Sequence, residues 1–337
     1  MGHSLHWRAV RIFSGIQPTG RKHLGNYIGA IRQYVEGQER GDAVYCVVDL
    51  HAISVQYSRV DLRRCVLDTV ALLLAAGLDP DRCILFRQSD VREHAELCWL
   101  LGAVTAHGDL TRMHQFREKS ARQRELVSAA LFVYPVLQAA DILAYRTDEV
   151  PVGDDQRQHI ELTRDIAERF NERFGETFVV PRHRIPEVGA RIKDLQAPEQ
   201  KMSTTAPSQQ GTLLVLDDEP TILKKVRSAV TDSGSQVIRA SDKAGISNLI
   251  ELLAAVRGTD PAAVERDFAE ARYGDFKQAV AEEVVSFLAP VGERYRDLRP
   301  DEPRLEAILA SGAERARAIA AGTLVEVRER MGVGSSG

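Results

Sequence analysis

The 337-residue chain has four cysteines, Cys46, Cys65, Cys83 and Cys98, widely spaced and without a CxxC pair. A disulfide framework or a structural zinc cluster is therefore not expected, and the thiols read as free and buried in a reducing cytoplasm. No apolar run reaches the roughly 18 residues that a membrane span needs. Met1 to Trp7 carry neither a basic n-region nor a long apolar core, so no secretory signal is expected. An excess of positive charge is also missing. Lys+Arg number 44 against 48 Asp+Glu, a net charge of −4, so any RNA contact must come from local basic patches. Internal repeats, low-complexity domains and a GxGxxG dinucleotide fingerprint are absent. The length suggests roughly two domains, and 27% charged with 44% apolar residues is ordinary for a globular protein.

Of what is present, the stretch Phe13 to Tyr27 (FSGIQPTGRKHLGNY) organises the rest. Val10 to Phe13 reads as a short strand, and a Pro/Gly turn follows. Apolar residues at Tyr27, Ile28, Ile31, Tyr34 and Val35 then mark one face of a helix. Asn26 sits at the expected helix start, where unpaired backbone N–H groups suit an anion such as a nucleotide phosphate. An ordinary strand–turn–helix connection fits this pattern equally.

Ala43 to Val48 is almost continuously apolar, as in a strand buried on both faces. It ends in Asp49-Leu50-His51-Ala52, polar residues where open α/β sheets bind ligands. Arg59 to Ala76 carries a helical stripe stopped by Gly77, Cys83 to Phe86 reads as a strand, and Arg92 to Val104 as a helix. This alternation predicts an α/β fold with a doubly wound, parallel, Rossmann-like sheet. Thr111 to Glu125 holds Arg112, Arg117, Lys119, Arg122 and Arg124 against only Glu118 and Glu125, and a solvated loop accounts for that composition. Leu126 to Tyr145 reads as mostly helical and strongly apolar. Asp141 lies inside it, and a carboxylate there needs a partner. Val150 to Gln156 reads as a strand end and a Gly turn before another helix, and its adjacent Asp154 and Asp155 could suggest metal binding. From about Asp217 the pattern is helical, through 246–256, 260–271, 273–288 and 304–330. Lys224, Lys225 and Arg227 cluster there, either as a solvated face or as an RNA contact. The expected division is a catalytic domain over 8–216 and a C-terminal helical domain over 217–332.

Five of these stretches, in order, resemble the motifs of one family. Gln17-Pro18-Thr19-Gly20 with His23-Leu24-Gly25-Asn26 resembles the HIGH signature of class I aminoacyl-tRNA synthetases, in the wording of the bacterial tryptophanyl form. His23 and Gly25 match, and Asn26 stands where many members have a second histidine. The D-x-H-A run at Asp49 to Ala52, the run Tyr134 to Leu143, and Val150 to Gln156 fit the same family. Lys201-Met202-Ser203-Thr204-Thr205, after Gly189-Ala190-Arg191-Ile192, occupies the place of its KMSKS loop, with Thr204 replacing the usual second lysine.

The resemblance implies an enzyme that activates L-tryptophan with ATP and Mg²⁺ and transfers it to tRNA(Trp). It implies a cytoplasmic homodimer with no membrane association and no tightly held metal. Lys201, Ser203 and Lys119 would act in catalysis. ATP would meet Gln17, Pro18, Thr19, His23, Gly25, Asn26, Gly153, Asp154, Asp155, Ile192, Lys201, Met202, Ser203, Thr204 and Thr205. Tryptophan would meet Phe13, His51, Tyr134, Gln138, Asp141 and Gln156. Asp141 would accept the indole N–H, which suits a ligand group that only donates, and Tyr134 and Gln156 would meet the ammonium. Gln138 stands where many relatives carry Met. The helical domain would read the anticodon. Two alternatives stay open at this point: a tyrosine-specific relative, and a non-catalytic RNA-binding relative, which the missing lysine at Thr204 would favour.

Overall fold

The computed structural model describes residues 9–114, 127–153, 156–184, 192–204 and 208–334. Among them, five strands form one parallel sheet: β1 (Arg11–Ile16), β2 (Asp42–Val47), β3 (Ile84–Arg87), β4 (Glu149–Pro151) and β5 (Arg182–Arg184). Their spatial order is β3-β2-β1-β4-β5, with Phe13 opposite Val44 and Val44 opposite Ile84. This is the expected doubly wound sheet, and the order reverses between β1 and β4. Ile12, Val44, Cys46, Leu85 and Phe86 are fully buried, which explains why β2 and β3 read as nearly continuous apolar runs.

The chain forms two compact units. The first comprises Met1–Thr19, Tyr34–Ile185 and Asp301–Gly337, and the second Gly20–Gln33 and Pro186–Pro300. In the first unit, α2 (Arg59–Ala76) starts on the Ser58 hydroxyl, which accepts from the Asp61 N–H, and stops at Gly77 with φ 111°. That left-handed conformation is one glycine adopts without strain. Helix α3 (Glu93–Gly102) packs on α4 (Ala129–Leu143), and α4 packs on α5 (Arg157–Phe174). The last helix, α10 (Glu302–Met331), also belongs to this unit and lies along the sheet edge at β3. It approaches closely because Gly312 has no side chain: a Cβ there would sit 1.8 Å from the Leu85 carbonyl oxygen. Arg315 donates to the carbonyls of Pro80 and Cys83, at 2.7 and 2.8 Å.

The helical run that begins at Leu24 passes through a π-helical turn, Tyr27–Ile31, into α1 (Arg32–Arg40). The second unit holds α6 (Glu219–Arg227), α7 (Ala244–Arg257), α8 (Pro261–Asp267) and α9 (Tyr273–Leu298). Asp218 caps α6 and Asp260 caps α8, each followed by proline, as their sequences indicate. The basic cluster of α6 divides on inspection. Lys225 is buried, and its Nζ donates to Asp217 Oδ2 and the Thr212 carbonyl, both at 2.7 Å. It is an internal ion pair, and only Lys224 and Arg227 are exposed.

The close approach at Gly312 sets an expected outcome. Gly312→Ala should lower stability by about 1–3 kcal/mol through overpacking. Gly322→Ala, on the same helix with nothing within 4 Å of its Cβ position, should raise it by about 0.5–1 kcal/mol. Urea midpoints of the two variants check this, and equal midpoints would mean that α10 does not seat on β3 as described.

Candidate functional site

A pocket of about 290 Å³ opens at the carboxyl ends of the strands in the first unit. Its lining includes Phe13, Ser14 and Gly15 from β1, Val48 and His51 beyond β2, and Val150 and Val152 at β4. Tyr134, Gln138, Asp141 and Ile142 of α4 and Gln156 complete it. The place follows from topology: a parallel sheet leaves a crevice where its strand order reverses. Gly15 keeps the floor open, since a Cβ there would come within 2.9 Å of a Val48 methyl.

Asp141 is 1% exposed, and burying an ionised carboxylate is costly unless donors surround it. They do. Asp141 Oδ2 is 2.8 Å from His51 Nε2 and accepts from Gln88 Nε2 at 2.9 Å. Oδ1 is 2.5 Å from His94 Nδ1 and accepts from the same Gln88 nitrogen at 2.7 Å. The far nitrogen of His94 meets the Tyr145 hydroxyl at 2.6 Å, and Phe13 stacks on the Tyr145 ring at 5.6 Å. Burial raises the carboxyl, but hydrogen bonds and charge from His51 and His94 outweigh it and hold the group at about 2. The group is therefore anionic at neutral pH. Four contacts match the roughly four lone-pair sites of a carboxylate. Of the donors, His51 is the one that lines the pocket, so a ligand N–H reaching Asp141 from the cavity competes with the His51 bond.

The other end of the pocket is polar as well. Tyr134 Oη lies 2.8 Å from His159 Nε2, with both residues buried. Gln138 Nε2 donates to Gln156 Oε1 at 3.5 Å.

A second assembly lies in the other unit. Tyr27 begins the π turn, and His23, not Asn26, caps the helical run before it. His23 Nδ1 accepts from the Asn26 N–H and Asn26 Oδ1 accepts from the His23 N–H, both at 3.2 Å. This reciprocal capping box closes the turn. The segment around His23 pairs with 213–215: the Leu24 N–H donates to the Leu213 carbonyl at 2.8 Å, and the Val215 N–H to the Lys22 carbonyl at 2.9 Å. Residues 192–202 fold back on themselves, the Met202 N–H donating to the Ile192 carbonyl at 3.1 Å. Asn248, buried in α7, fastens this hairpin: its Oδ1 accepts from the Lys193 N–H at 3.0 Å and its Nδ2 donates to the Lys193 carbonyl at 3.2 Å. Lys201 is exposed, whereas Met202 and Ile192 are buried.

Most residues singled out from the sequence thus fall into two groups. Phe13, Gln17, His51, Tyr134, Gln138, Asp141 and Gln156 line the pocket, and Pro18, Thr19 and Gly153 belong to the same unit. His23, Gly25, Asn26, Ile192, Lys201, Met202, Ser203 and Thr204 share the other unit. Lys119, Asp154, Asp155 and Thr205 lie outside the described residues. Gln88, His94, Tyr145, His159 and Asn248 escaped the sequence reading. Asn248 carried only a weak signal, an amide one turn before Leu252 on a helix whose buried residues run nearly all the way round. His94 and Gln88 carried none beyond their place near the end of β3.

A family profile for class I tRNA synthetases (W and Y) matches residues 6–289. The chain belongs to this family. The tryptophan–tRNA ligase 2 of Streptomyces avermitilis is 52% identical over 326 residues, 96% of either chain. The tryptophan–tRNA ligase of Caldanaerobacter subterraneus subsp. tengcongensis is 48% identical over 324 residues, 96% of this chain and 98% of its own. The solved tryptophanyl-tRNA synthetase of Mycoplasma pneumoniae is 34% identical, with a TM-score of 0.88 over 97% of this chain and 99% of its own. That of Campylobacter jejuni, in complex with ADP and tryptophan, is 34% identical with a TM-score of 0.83, over 96% of this chain and 100% of its own.

Within this class I fold, His23 is held neutral. Burial, then the charges of Lys201 and Lys22, lower its pKa from 6.5 to about 4. Between those values the unfolded chain binds a proton that the folded chain refuses. Stability should therefore fall as the pH drops from about 6.5 toward 4, with no loss above that window. Ring titration by NMR should give a midpoint near 4, and Lys201→Met should raise it. A wild-type midpoint near 6.5 would contradict the burial of this ring.

Proposed function

We infer that the chain is a tryptophan–tRNA ligase. It forms tryptophanyl-adenylate from L-tryptophan and ATP, then transfers the tryptophanyl group to tRNA(Trp). The observation that carries this reading is the pocket at the sheet reversal, where apolar Phe13, Val48, Ile142, Val150 and Val152 share the lining with one buried anionic carboxylate, Asp141. Indole is an apolar ring with a single donor and no acceptor, so a carboxylate complements it and a hydroxyl would do so less selectively. The membership of the chain and its relatives at 52% and 48% identity support the same conclusion.

In the first step the tryptophan carboxylate attacks the α-phosphorus of ATP and pyrophosphate leaves. In the second, a terminal-adenosine hydroxyl of the tRNA attacks the acyl carbon and AMP leaves. Neither step needs a protein nucleophile, so catalysis is positioning and charge stabilisation. Asp141 accepts the indole N–H, while Tyr134 and Gln156 meet the ammonium and Phe13, His51 and Gln138 border the ring. Gln17, Pro18, Thr19, His23, Gly25, Asn26, Gly153, Asp154, Asp155 and the 192–205 segment serve ATP, which arrives as its magnesium complex. Lys201, Ser203 and Lys119 stabilise charge on the leaving pyrophosphate, and Thr204 supplies a hydroxyl without charge. Residues 8–216 carry this chemistry and the helices of 217–332 read the anticodon, in a cytoplasmic homodimer. Trp99, 83% exposed on α3, and Val133, 40% exposed on the adjoining α4, suit a subunit interface.

ATP–pyrophosphate exchange tests the reading: tryptophan should support it and tyrosine should not. Asp141→Ala should depress tryptophan-dependent exchange at least about tenfold, since a charge-assisted hydrogen bond is worth about 1.5–3 kcal/mol. Lys201→Ala should lower the turnover number far more than it weakens tryptophan binding, because its contact strengthens only in the transition state. A change confined to the Michaelis constant for ATP would show uniform ATP binding by this loop instead.

A further inference from the structure

Two of the side chains that meet Asp141 come from one short stretch: Gln88, in the 3₁₀ turn Gln88–Asp90 after β3, and His94, in the first turn of α3. Each residue of the 3₁₀ turn is fastened to a different group. Gln88 is fully buried; its Oε1 accepts from the Leu50 N–H at 3.1 Å, and its Nε2 reaches both oxygens of Asp141. The Ser89 N–H and hydroxyl donate to the two oxygens of Asp49, at 3.0 and 2.5 Å. The Asp90 carbonyl accepts from Arg317 Nη2 of α10, at 2.5 Å.

Helix α10 grips this stretch at three places. Glu306 accepts from both Nη atoms of Arg87, at 3.2 and 3.0 Å, and Arg87 in turn donates from Nε to Asp90 Oδ2 at 3.0 Å. Arg317 holds the Asp90 carbonyl, and Arg328 donates to Glu96 of α3 at 2.6 Å. Glu306, Arg317 and Arg328 stand at intervals of about three helical turns, so they form one stripe along α10. The stripe runs from the last residue of β3 to the helix that carries His94.

A hydrogen bond is directional, and the Gln88 amide can serve both carboxylate oxygens only while its turn keeps its place. Movement of the turn therefore re-aims Asp141 relative to a ligand N–H entering from the cavity. A misplacement of about 1 Å that starts far from the chemistry is enough to cost activity. Arg315 provides a contrast. It lies on the same helix and also donates to backbone carbonyls, those of Pro80 and Cys83, but where the chain enters β3. It fastens α10 without bonding to the turn.

We propose that Arg317, together with the Glu306–Arg87 pair, is a positioning residue for tryptophan: by fixing the turn Gln88–Asp90 from outside, it sets the orientation in which Gln88 presents Asp141 to the indole N–H. The proposal rests on the reading of Asp141 as the acceptor of that N–H.

The test uses the full chain with L-tryptophan and with β-(benzothiophen-3-yl)-L-alanine, in which sulfur replaces the indole N–H. In Arg317→Met the Michaelis constant for tryptophan in pyrophosphate exchange should rise roughly three- to tenfold, the factor of a single hydrogen bond, while that for ATP stays within about twofold. Inhibition by the sulfur analogue should change less than about twofold, since it has no donor for Asp141. Glu306→Ala should act in the same direction as Arg317→Met. Arg315→Met should lower the urea midpoint and leave both ligands unaffected. Equal weakening of tryptophan and the analogue in Arg317→Met, an unchanged Michaelis constant for tryptophan, or the same tryptophan effect in Arg315→Met overturns the proposal. A wild-type protein that binds the analogue as tightly as tryptophan refutes the reading of Asp141 as the indole acceptor, and that is known before any variant is made.

Discussion

The first unit is arranged around the cost of hiding one charge. An ionised carboxylate removed from water must regain its hydrogen bonds from the protein. Asp141 regains them from His51 beyond β2, Gln88 beyond β3 and His94 on α3. Those residues are 90, 53 and 47 positions away in the chain. The carboxylate thus joins two strand ends and two helices at one point, which is also the end of the pocket. Buried ion pairs are weak contributors to stability compared with apolar packing of the same volume. What this one provides is placement: an anion held in a fixed orientation at one end of the cavity.

The same logic, with backbone groups in place of a side-chain charge, shapes the second unit. The signature segments around His23 and Lys201 are loops, and loop N–H and carbonyl groups need partners when they are covered. Residues 22–24 find theirs in 213–215, and 193–194 in the buried amide of Asn248. The result is a rigid frame from which exposed Lys201 projects. The proximity of that cation is one of the causes that keep His23 neutral.

The sheet edge poses a separate constraint. An uncovered edge strand offers unpaired backbone groups to other chains. Here the final helix covers β3, and the small residues Gly312, Ala313 and Ala316 let it lie against the backbone. The cost is that the carboxyl-terminal helix belongs with the sheet and not with the helices that precede it in sequence.

Periodicity in the sequence was enough to determine the parallel α/β class, the limits of α2 and its Gly77 stop, and the helical character after residue 217, because these depend on neighbours a few positions apart. Short motifs were enough to indicate the family, because their residue types and order are themselves local. Asp141 could be picked out as a carboxylate needing a partner, but its partners could not. His51, Gln88 and His94 meet it only because strand order brings distant segments together, and no local pattern encodes that encounter. The same holds for Lys225, which reads as surface charge beside Lys224 and Arg227 and is instead turned inward to Asp217 by the phase of its helix. It holds for α10, whose Ala/Arg/Glu-rich sequence suits a bundle edge while its glycine finds a carbonyl oxygen more than two hundred residues earlier. Local sequence decided which elements form; tertiary structure alone decided which polar groups meet, because burial and pairing are properties of segments that the chain order keeps apart.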